Sequence, residues 1–489
     1  MVDTIVEQKI LRLLSEQNPW WVTKEVPEYL AKPFRRRDFY IYRDKLEEAD
    51  ITAIVGPRQI GKTTVMYQLI QYLVHETGVD PKRIMYNSFD YPYLTTLTET
   101  PINDLLDVFS SQILREPTQE LEDKVYVFFD EICKLEEWSR VLKGWFDLKY
   151  PLKFMISDSS SSDILRGSSE SLVGRINPNI MLSLKFVDYL NYFEGREEIN
   201  KVNWDLRNSL QLAIDDDDID ILFKELKLAF SKLVHVEKTI QLHLQQYLLK
   251  DGYPELLDND NLASCRQKLR DYLTLTIYKD LMRVFNLRDP KALEELMTLV
   301  AAETSQRMEY SNLADSLSIK RDTVSKYLDH LEMVFLISRE EFYSKSRKSR
   351  IKKSKKIYFC NVGLRNALTG VLSDSLLKDY QELGKVVETL VHEHSKRLKF
   401  CLEPGIEPQL YYWKTNTGEE VDIVLEVKKK PIPIEVKYRD DVPDNILKGF
   451  NAFLKSKKKC PFGIVVTRNV LKRREDFVII PLWLFLLMC

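Results

Sequence analysis

Short apolar runs alternate with amphipathic stretches through the first part of the chain. Ile51–Val55, Arg83–Phe89, Lys124–Phe129, Leu152–Ser157 and Asn179–Leu184 have the length of buried strands. Between the first two, Thr63–His75 places Val65, Leu69, Tyr72 and Leu73 at helical spacing. This alternation predicts an α/β domain, a mostly parallel sheet between helices, over residues 46–195. Residues 1–45 read as helical and then irregular. Residues 196–300 are helix-rich, and Asp215-Asp216-Asp217-Asp218 within them reads as a solvated loop. Tyr310–Leu317 and a second helix, from Lys320 or Arg321 to Met333, flank the turn Ser318-Ile319. The second helix has Val324, Tyr327, Leu328, Leu331 and Phe335 on its buried face, the size and rhythm of a helix-turn-helix. A helix Lys385–Leu398 then precedes three strands, one beginning at Tyr411, one at Val421–Leu425 and one at Ile432–Val436. The last apolar stretch, Phe477–Cys489, is shorter than the roughly 20 residues that span a bilayer. It reads as a segment docked in a core or a partner groove, with no stable membrane insertion.

The first strand and helix enclose Gly56-Pro57-Arg58-Gln59-Ile60-Gly61-Lys62-Thr63, which fits the phosphate-binding pattern G-x-x-x-x-G-K-[ST]. Backbone N–H groups of such a loop, at a helix N-terminus, favour anions. Lys62 would reach the β- and γ-phosphates of ATP, and Thr63 would hold Mg²⁺; the site extends to Thr64. Val125–Phe129 ends in Asp130-Glu131, at the strand end where open α/β sheets bind ligands. Asp130 would hold Mg²⁺ through water, and Glu131 would polarise the attacking water. The next strand ends in Asp158 and the serine run Ser159–Ser162. Ser159 fits two roles there, γ-phosphate sensor or helix cap. Arg175 also fits two, a finger toward a neighbouring subunit's nucleotide or a surface ion pair.

A second chemistry lies further along. Eight of the twelve residues Lys345–Lys356 are basic, just after the helix-turn-helix. As a wing, this stretch would contact DNA phosphates through Lys348, Arg350, Lys352, Lys353 and Lys355, with Arg321 and Lys326 on the second helix. A solvated hairpin, or a fold used only for subunit contacts, is the other reading. Strand alternation puts Glu435 and Lys437 on one face, beside Asp422 of the adjoining strand. Asp422 and Glu435 would ligate Mg²⁺ by hard oxygens, and Lys437 would position water or stabilise developing charge. Glu388 would add a ligand or order a water.

Composition adds bounds. The chain has 489 residues, enough for several domains, and 44% hydrophobic content, ample for their cores. A net charge of −2 leaves any nucleic-acid contact to local patches. Six scattered cysteines form no Cys-x-x-Cys, so neither a zinc site nor a disulfide framework is indicated and a reducing cytoplasm fits.

Taken in order, several pieces carry a family resemblance: Asn18-Pro19-Trp20-Trp21, Gly56–Thr64, Phe129-Asp130-Glu131-Ile132, the serine run, Leu172–Arg175, Gly252-Tyr253-Pro254-Glu255, Gly363-Leu364-Arg365-Asn366-Ala367, and Glu420-Val421-Asp422 with Ile434-Glu435-Val436-Lys437. The chain resembles the prokaryotic, largely archaeal ATPases of the AAA superfamily that end in a domain of unknown function with a restriction-endonuclease-like fold. The likeness spans nearly the whole chain. It departs at Ser157-Asp158, where the family has Thr-Gly, and at Cys133, where it has Gln. The first departure leaves the sensor role open.

The resemblance implies residues 1–45 packed on an AAA core at 46–195, a helical lid at 196–300, a winged helix-turn-helix at 301–370 and a restriction-like α/β domain at 371–489. Function is then expected to be ATP hydrolysis with Mg²⁺, in a homo-oligomeric ring or partial ring acting on DNA. The distal domain would carry a Mg²⁺-dependent nuclease site. The alternatives are a nucleotide-controlled regulatory or defence switch, and a non-cleaving DNA- or protein-binding assembly.

Overall fold

The computed structural model describes residues 4–91, 93–159, 172, 174–285, 287, 289–405, 408–456 and 459–489. Two compact units divide it, Met1–Leu182 and Ser183–Cys489.

In the first unit, β1 (Ile51–Val55), β2 (Ile84–Ser88), β3 (Val125–Asp130), β4 (Leu152–Asp158) and β5 (Ile176–Ile180) form a parallel sheet in the order β2-β3-β4-β1-β5. β1 and β3 are buried along their whole length, which explains their unbroken apolar sequences. The fifth strand lies earlier than the sequence suggests. Register sets its start, with Ile176 opposite Ile51, and its edge position leaves Ile-Asn-Pro-Asn-Ile half exposed, so it lacks an apolar signature.

The opposite edge, β2, is covered by the N-terminal segment. That segment is helical at Thr4–Gln17, Trp20–Thr23, Glu28–Ala31 and Arg37–Asp44. Asn18 accepts the Tyr86 N–H at 2.7 Å and donates to Tyr86 O at 2.8 Å. Both Trp20 and Trp21 donate their indole N–H to Ile84 O, and Gln17 accepts from Ser88 N–H. The Asn-Pro-Trp-Trp motif therefore satisfies a strand edge whose polar groups are otherwise without partners.

The second unit opens with long helices, including Glu197–Asp216, Ile219–Leu233 and Glu237–Lys250. It continues through β6 (Gln306–Met308), helices Tyr310–Leu317 and Arg321–Met333, β7 (Ile337–Phe342), a short helix Arg347–Lys352 and β8 (Lys355–Phe359). A 23-residue helix, Tyr380–Leu402, precedes β9 (Tyr411–Lys414), β10 (Glu420–Val427), β11 (Lys430–Lys437), β12 (Gly463–Thr467), β13 (Lys472–Arg473) and β14 (Phe477–Pro481). These nine strands make one sheet, ordered β13-β14-β12-β11-β10-β9-β7-β8-β6. Strands from residues 301–370 and 371–489 are thus continuous, because β7 pairs in parallel with β9, Glu341 opposite Tyr411.

The structure refines three readings here. Asp215-Asp216-Asp217-Asp218 is exposed, as expected, but only Asp217 and Asp218 form a turn while the first two end a helix; Asp215 and Asp217 pair with Lys428 and Lys430 at the β10–β11 connection, each at 2.7 Å. Val334 takes the buried place assigned to Phe335, since the helix stops at Met333 and Phe335 turns to positive φ. The apolar C-terminal stretch is β14 and a fully buried helix, Leu482–Met488, packed among helices of its own unit. Among the described residues, no helix is long and apolar enough to cross a membrane.

Candidate functional site

The glycine loop joins β1 to the helix Lys62–His75. A Cβ on Gly56 would fall 1.9 Å from Met181 O, so only glycine fits, and Gly61 sits at φ 92°. Pro57, Arg58, Gln59 and Ile60 form the turn, with Gln59 also at positive φ. The ammonium of buried Lys62 donates to Gly56 O at 2.9 Å and Pro57 O at 3.0 Å, lying over its own loop. Thr63 donates to Asp130 Oδ2 at 2.6 Å, and Thr64 follows in the first helical turn.

Asp130, at the end of β3, gathers further donors. Tyr86 donates to Oδ2 at 2.9 Å, and Ser157 donates to Oδ1. Burial, with Asp130 beside it, raises the Tyr86 phenol well above its ordinary range, which keeps it a donor. Glu131 is left-handed at φ 54°, a conformation that costs a non-glycine residue about 1–3 kcal/mol. Its N–H donates to Ser157 Oγ at 3.2 Å, and its carboxylate accepts from Ser159 at 3.4 Å. Side chains from β2, β3 and the end of β4 thus converge on one acid pair.

Sequence reasoning missed three members of this site. Ser157 was visible only as a departure from the family's Thr-Gly. Tyr86 required the register that sets Ser88 beside Asp130. Arg36, far upstream, donates to Ile60 O at 3.0 Å and Leu182 O at 2.7 Å, bracing the loop. Arg175, by contrast, forms a surface ion pair with Asp147 at 2.8 Å within its own unit. Residues 160–162 of the serine run, and Val173, lie outside the described residues.

In the second unit, β10 and β11 bring the distal set together. Asp422 Oδ2 accepts the Val436 N–H at 2.9 Å, and Glu435 Oε2 accepts the Asp422 N–H at 3.4 Å. Lys437 lies 2.5 Å from Glu435 and 3.9 Å from Asp422. Glu388, on the helix Tyr380–Leu402, accepts from Tyr358 at 3.0 Å. A residue unassigned from sequence completes the group. Lys356, the last of the basic run, turns inward and sits 2.8 Å from Glu388, 3.4 Å from Glu420 and 3.5 Å from Asp422.

Electrostatics separates the acids. Burial, with Asp422 alongside, raises Glu435 to about 8, and burial also raises Glu388. Burial works against the Asp422 charge too, but Lys356, Lys437 and the Val436 N–H overcome it and hold this acid below its ordinary range. Among the described residues, no three His, Cys, Asp or Glu side chains group to hold a metal ion. Asp422 and Glu435 would offer a two-carboxylate donor set. That suits Mg²⁺, which keeps most of its waters and takes one or two carboxylates beside a phosphate.

The basic hairpin divides. Lys348, Lys352 and Lys353 are exposed, with Lys345 and Arg347, as are Arg321 and Lys326 on the preceding helix. Arg350 instead lies 4.6 Å over the Tyr411 ring and donates to its hydroxyl, while Lys355 pairs with Glu341 at 3.2 Å. Both side chains are committed to the sheet, Arg350 from the helix Arg347–Lys352 and Lys355 from the first position of β8.

Residues 48–190 match the model of an AAA domain. The first unit has an AAA-type P-loop core. Residues 241–375 and 383–485 match two models each described as a domain of unknown function, DUF8612 and DUF4143. An uncharacterized protein of Methanocaldococcus jannaschii, MJ1637, is 26% identical over 458 residues, 92% of this chain and 87% of that protein. Another, Rv2008c of Mycobacterium tuberculosis, is 24% identical over 401 residues, 81% of this chain and 72% of that one. Among solved structures, the Aeropyrum pernix ORC1 protein in complex with DNA covers 74% of this chain and 98% of its own, at 11% identity and a TM-score of 0.30.

Proposed function

We propose that this protein binds and hydrolyses ATP with Mg²⁺ and uses the cycle to act on DNA. The observation that carries the ATPase reading is the Thr63–Asp130 hydrogen bond. It draws the metal-binding hydroxyl of a glycine loop and the acid of the neighbouring strand to one point, with Glu131 next in the chain. When bound, Mg²⁺ neutralises phosphate charge. Thr63 and Asp130 would hold it, Lys62 would leave the loop carbonyls for the phosphates, and Glu131 would orient water. Ser159, bonded to Glu131, would report the γ-phosphate to that carboxylate. Arg175 would exchange Asp147 for a neighbour's nucleotide in a homo-oligomer.

Support for DNA comes from the exposed cations of residues 345–353, between β7 and β8, and of the helix Arg321–Met333, read as a winged helix-turn-helix. Residues 196–300 would serve as the lid. The distal domain is read as restriction-endonuclease-like, with Asp422 and Glu435 holding Mg²⁺ and Lys437 beside them for phosphodiester cleavage. A non-cleaving platform, under a nucleotide-controlled switch, is the second reading. It draws on the ion pair that Lys356 already makes with Asp422.

Purified protein incubated with Mg²⁺, ATP and duplex, forked or single-stranded DNA tests both. Cleavage lost in Asp422→Ala with ATPase activity retained is the expected result. No cutting of any substrate would leave the platform reading. ATPase activity unmoved by DNA would direct the switch to another signal.

A further inference from the structure

Lys356 is the least accessible cation in the distal acid group. Its side chain is 2% exposed, against 25% for Lys437. Four acceptors surround its three donors: Glu388 Oε1 at 2.8 Å, Glu420 Oε1 at 3.4 Å, Asp422 O at 3.4 Å and Asp422 Oδ1 at 3.5 Å. They come from the helix Tyr380–Leu402 and from β10. Asp422 therefore faces two ways. One oxygen meets Lys356; the other meets the Val436 N–H, with Lys437 at 3.9 Å.

We propose that Lys356 is a built-in cation standing where a second metal ion would bind, so that the distal site takes one divalent cation per chain. This rests on the metal-binding reading of Asp422 and Glu435 above. Phosphodiester-cleaving sites with two metals hold them roughly 3.5–4 Å apart. Asp422, with one oxygen turned to each side, is the carboxylate that two such cations would share. On the Glu388 side the ammonium already supplies the charge. It cannot be withdrawn cheaply, because β8 is the middle strand of three, with Lys356 opposite Glu340 of β7 and Arg307 of β6. Expelling it would leave an unpaired ammonium buried. Lys437 differs: it lies at the end of β11 and is a quarter exposed, so it can swing to solvent and yield the Glu435 side to a cation. Burial decides which lysine a metal can displace.

Manganese titration of the full chain, by calorimetry and electron paramagnetic resonance, tests this. An Asp130→Asn background silences the first unit's site. One cation per chain is expected, none in Asp422→Asn, and two in Lys356→Met, whose fold is checked by circular dichroism. Lys437→Met is the folding-independent control, since its side chain is partly exposed; it should keep one cation and bind it more tightly. Two cations with Lys356 intact, or an unchanged count in folded Lys356→Met, would overturn the inference while leaving the metal site standing. If Lys356→Met does not fold, the count with Lys356 intact decides: one supports the inference and two overturns it. No cation with Lys356 intact would remove the metal reading itself, and the inference with it.

Discussion

The Thr63 hydroxyl donates to Asp130 Oδ2 across 2.6 Å, tying the first turn after the glycine loop to the end of β3. Both groups are oxygen ligands of the kind Mg²⁺ takes. Thr63→Ala should lower Mg²⁺-dependent ATP turnover by about 100-fold, the scale of losing one well-placed polar group in a transition-state site. Thr63→Ser should restore most of it. Phosphate release over a Mg²⁺ series reads both, and an unaffected Thr63→Ala would remove Thr63 from the site.

Glu131 and Lys62 should separate chemistry from binding. Glu131→Gln keeps the shape but not the base, so ATP should still bind while kcat falls about 10²–10⁴-fold. Lys62→Ala should lose hydrolysis altogether. Nucleotide binding by fluorescence, beside turnover, distinguishes the two; equal loss of binding in both variants would deny Glu131 its role with water.

Asn18 carries a structural prediction. It is 1% exposed and satisfies both the N–H and the C=O of Tyr86 on the β2 edge. Asn18→Ala leaves two buried backbone groups without partners, at about 1–3 kcal/mol each. Denaturant unfolding should show a loss of that order. Turnover should fall as well, because Tyr86 also donates to Asp130. A change under about 0.5 kcal/mol, the size of an ordinary surface substitution, would mean the edge is satisfied in another way.

His394 predicts acid sensitivity of the second unit. Its Nδ1 donates to Leu390 O at 3.0 Å and its Nε2 accepts the Phe186 N–H at 3.3 Å, an arrangement only the neutral ring can make. Burial, then Arg397, holds it well below its ordinary 6.5. Below that pH the unfolded chain binds a proton that the folded chain refuses. Stability should therefore fall as pH drops through about 6.5, by up to about 1.4 kcal/mol per pH unit. His394→Asn should flatten the slope, compared by unfolding midpoints between about pH 7 and pH 5. Equal slopes would assign the effect to other groups.

The exposed lysines of the hairpin should act through phosphates. Replacing Lys348, Lys352 and Lys353 by Ala should weaken DNA binding evenly across sequences. It should also reduce the slope of log affinity against log salt by about 0.9 for each phosphate no longer neutralised. Arg350→Ala should instead disturb the sheet, through Tyr411. Anisotropy at several salt concentrations measures the slope, and an unchanged slope would take the hairpin off the DNA.

Local pattern carried the elements. Gly56–Thr63, the apolar strand before Asp130 and the helices at 310–333 were legible because each depends on residues adjacent in the chain or on one repeating period. The Asp422, Glu435, Lys437 group was legible for the same reason, lying on a two-stranded hairpin. Its fourth and fifth members were not equally so. Glu388 stood on a predicted helix remote from the hairpin, and Lys356 was hidden in a run with eight basic residues whose composition pointed to solvent.

By itself, then, the sequence determined a phosphate loop, its acid partners and an acid–lysine hairpin, all set by short-range spacing. The tertiary structure alone decided which side chains complete them. Arg36 and Tyr86 reach the first site from distant segments, and Ser157 from a neighbouring strand. Lys356 reaches the second because β8 pairs with β6 and β7 and turns it inward. Charge shows in composition, but whether a charge meets water or three carboxylates depends on strand register, and register is fixed only when the sheet is built.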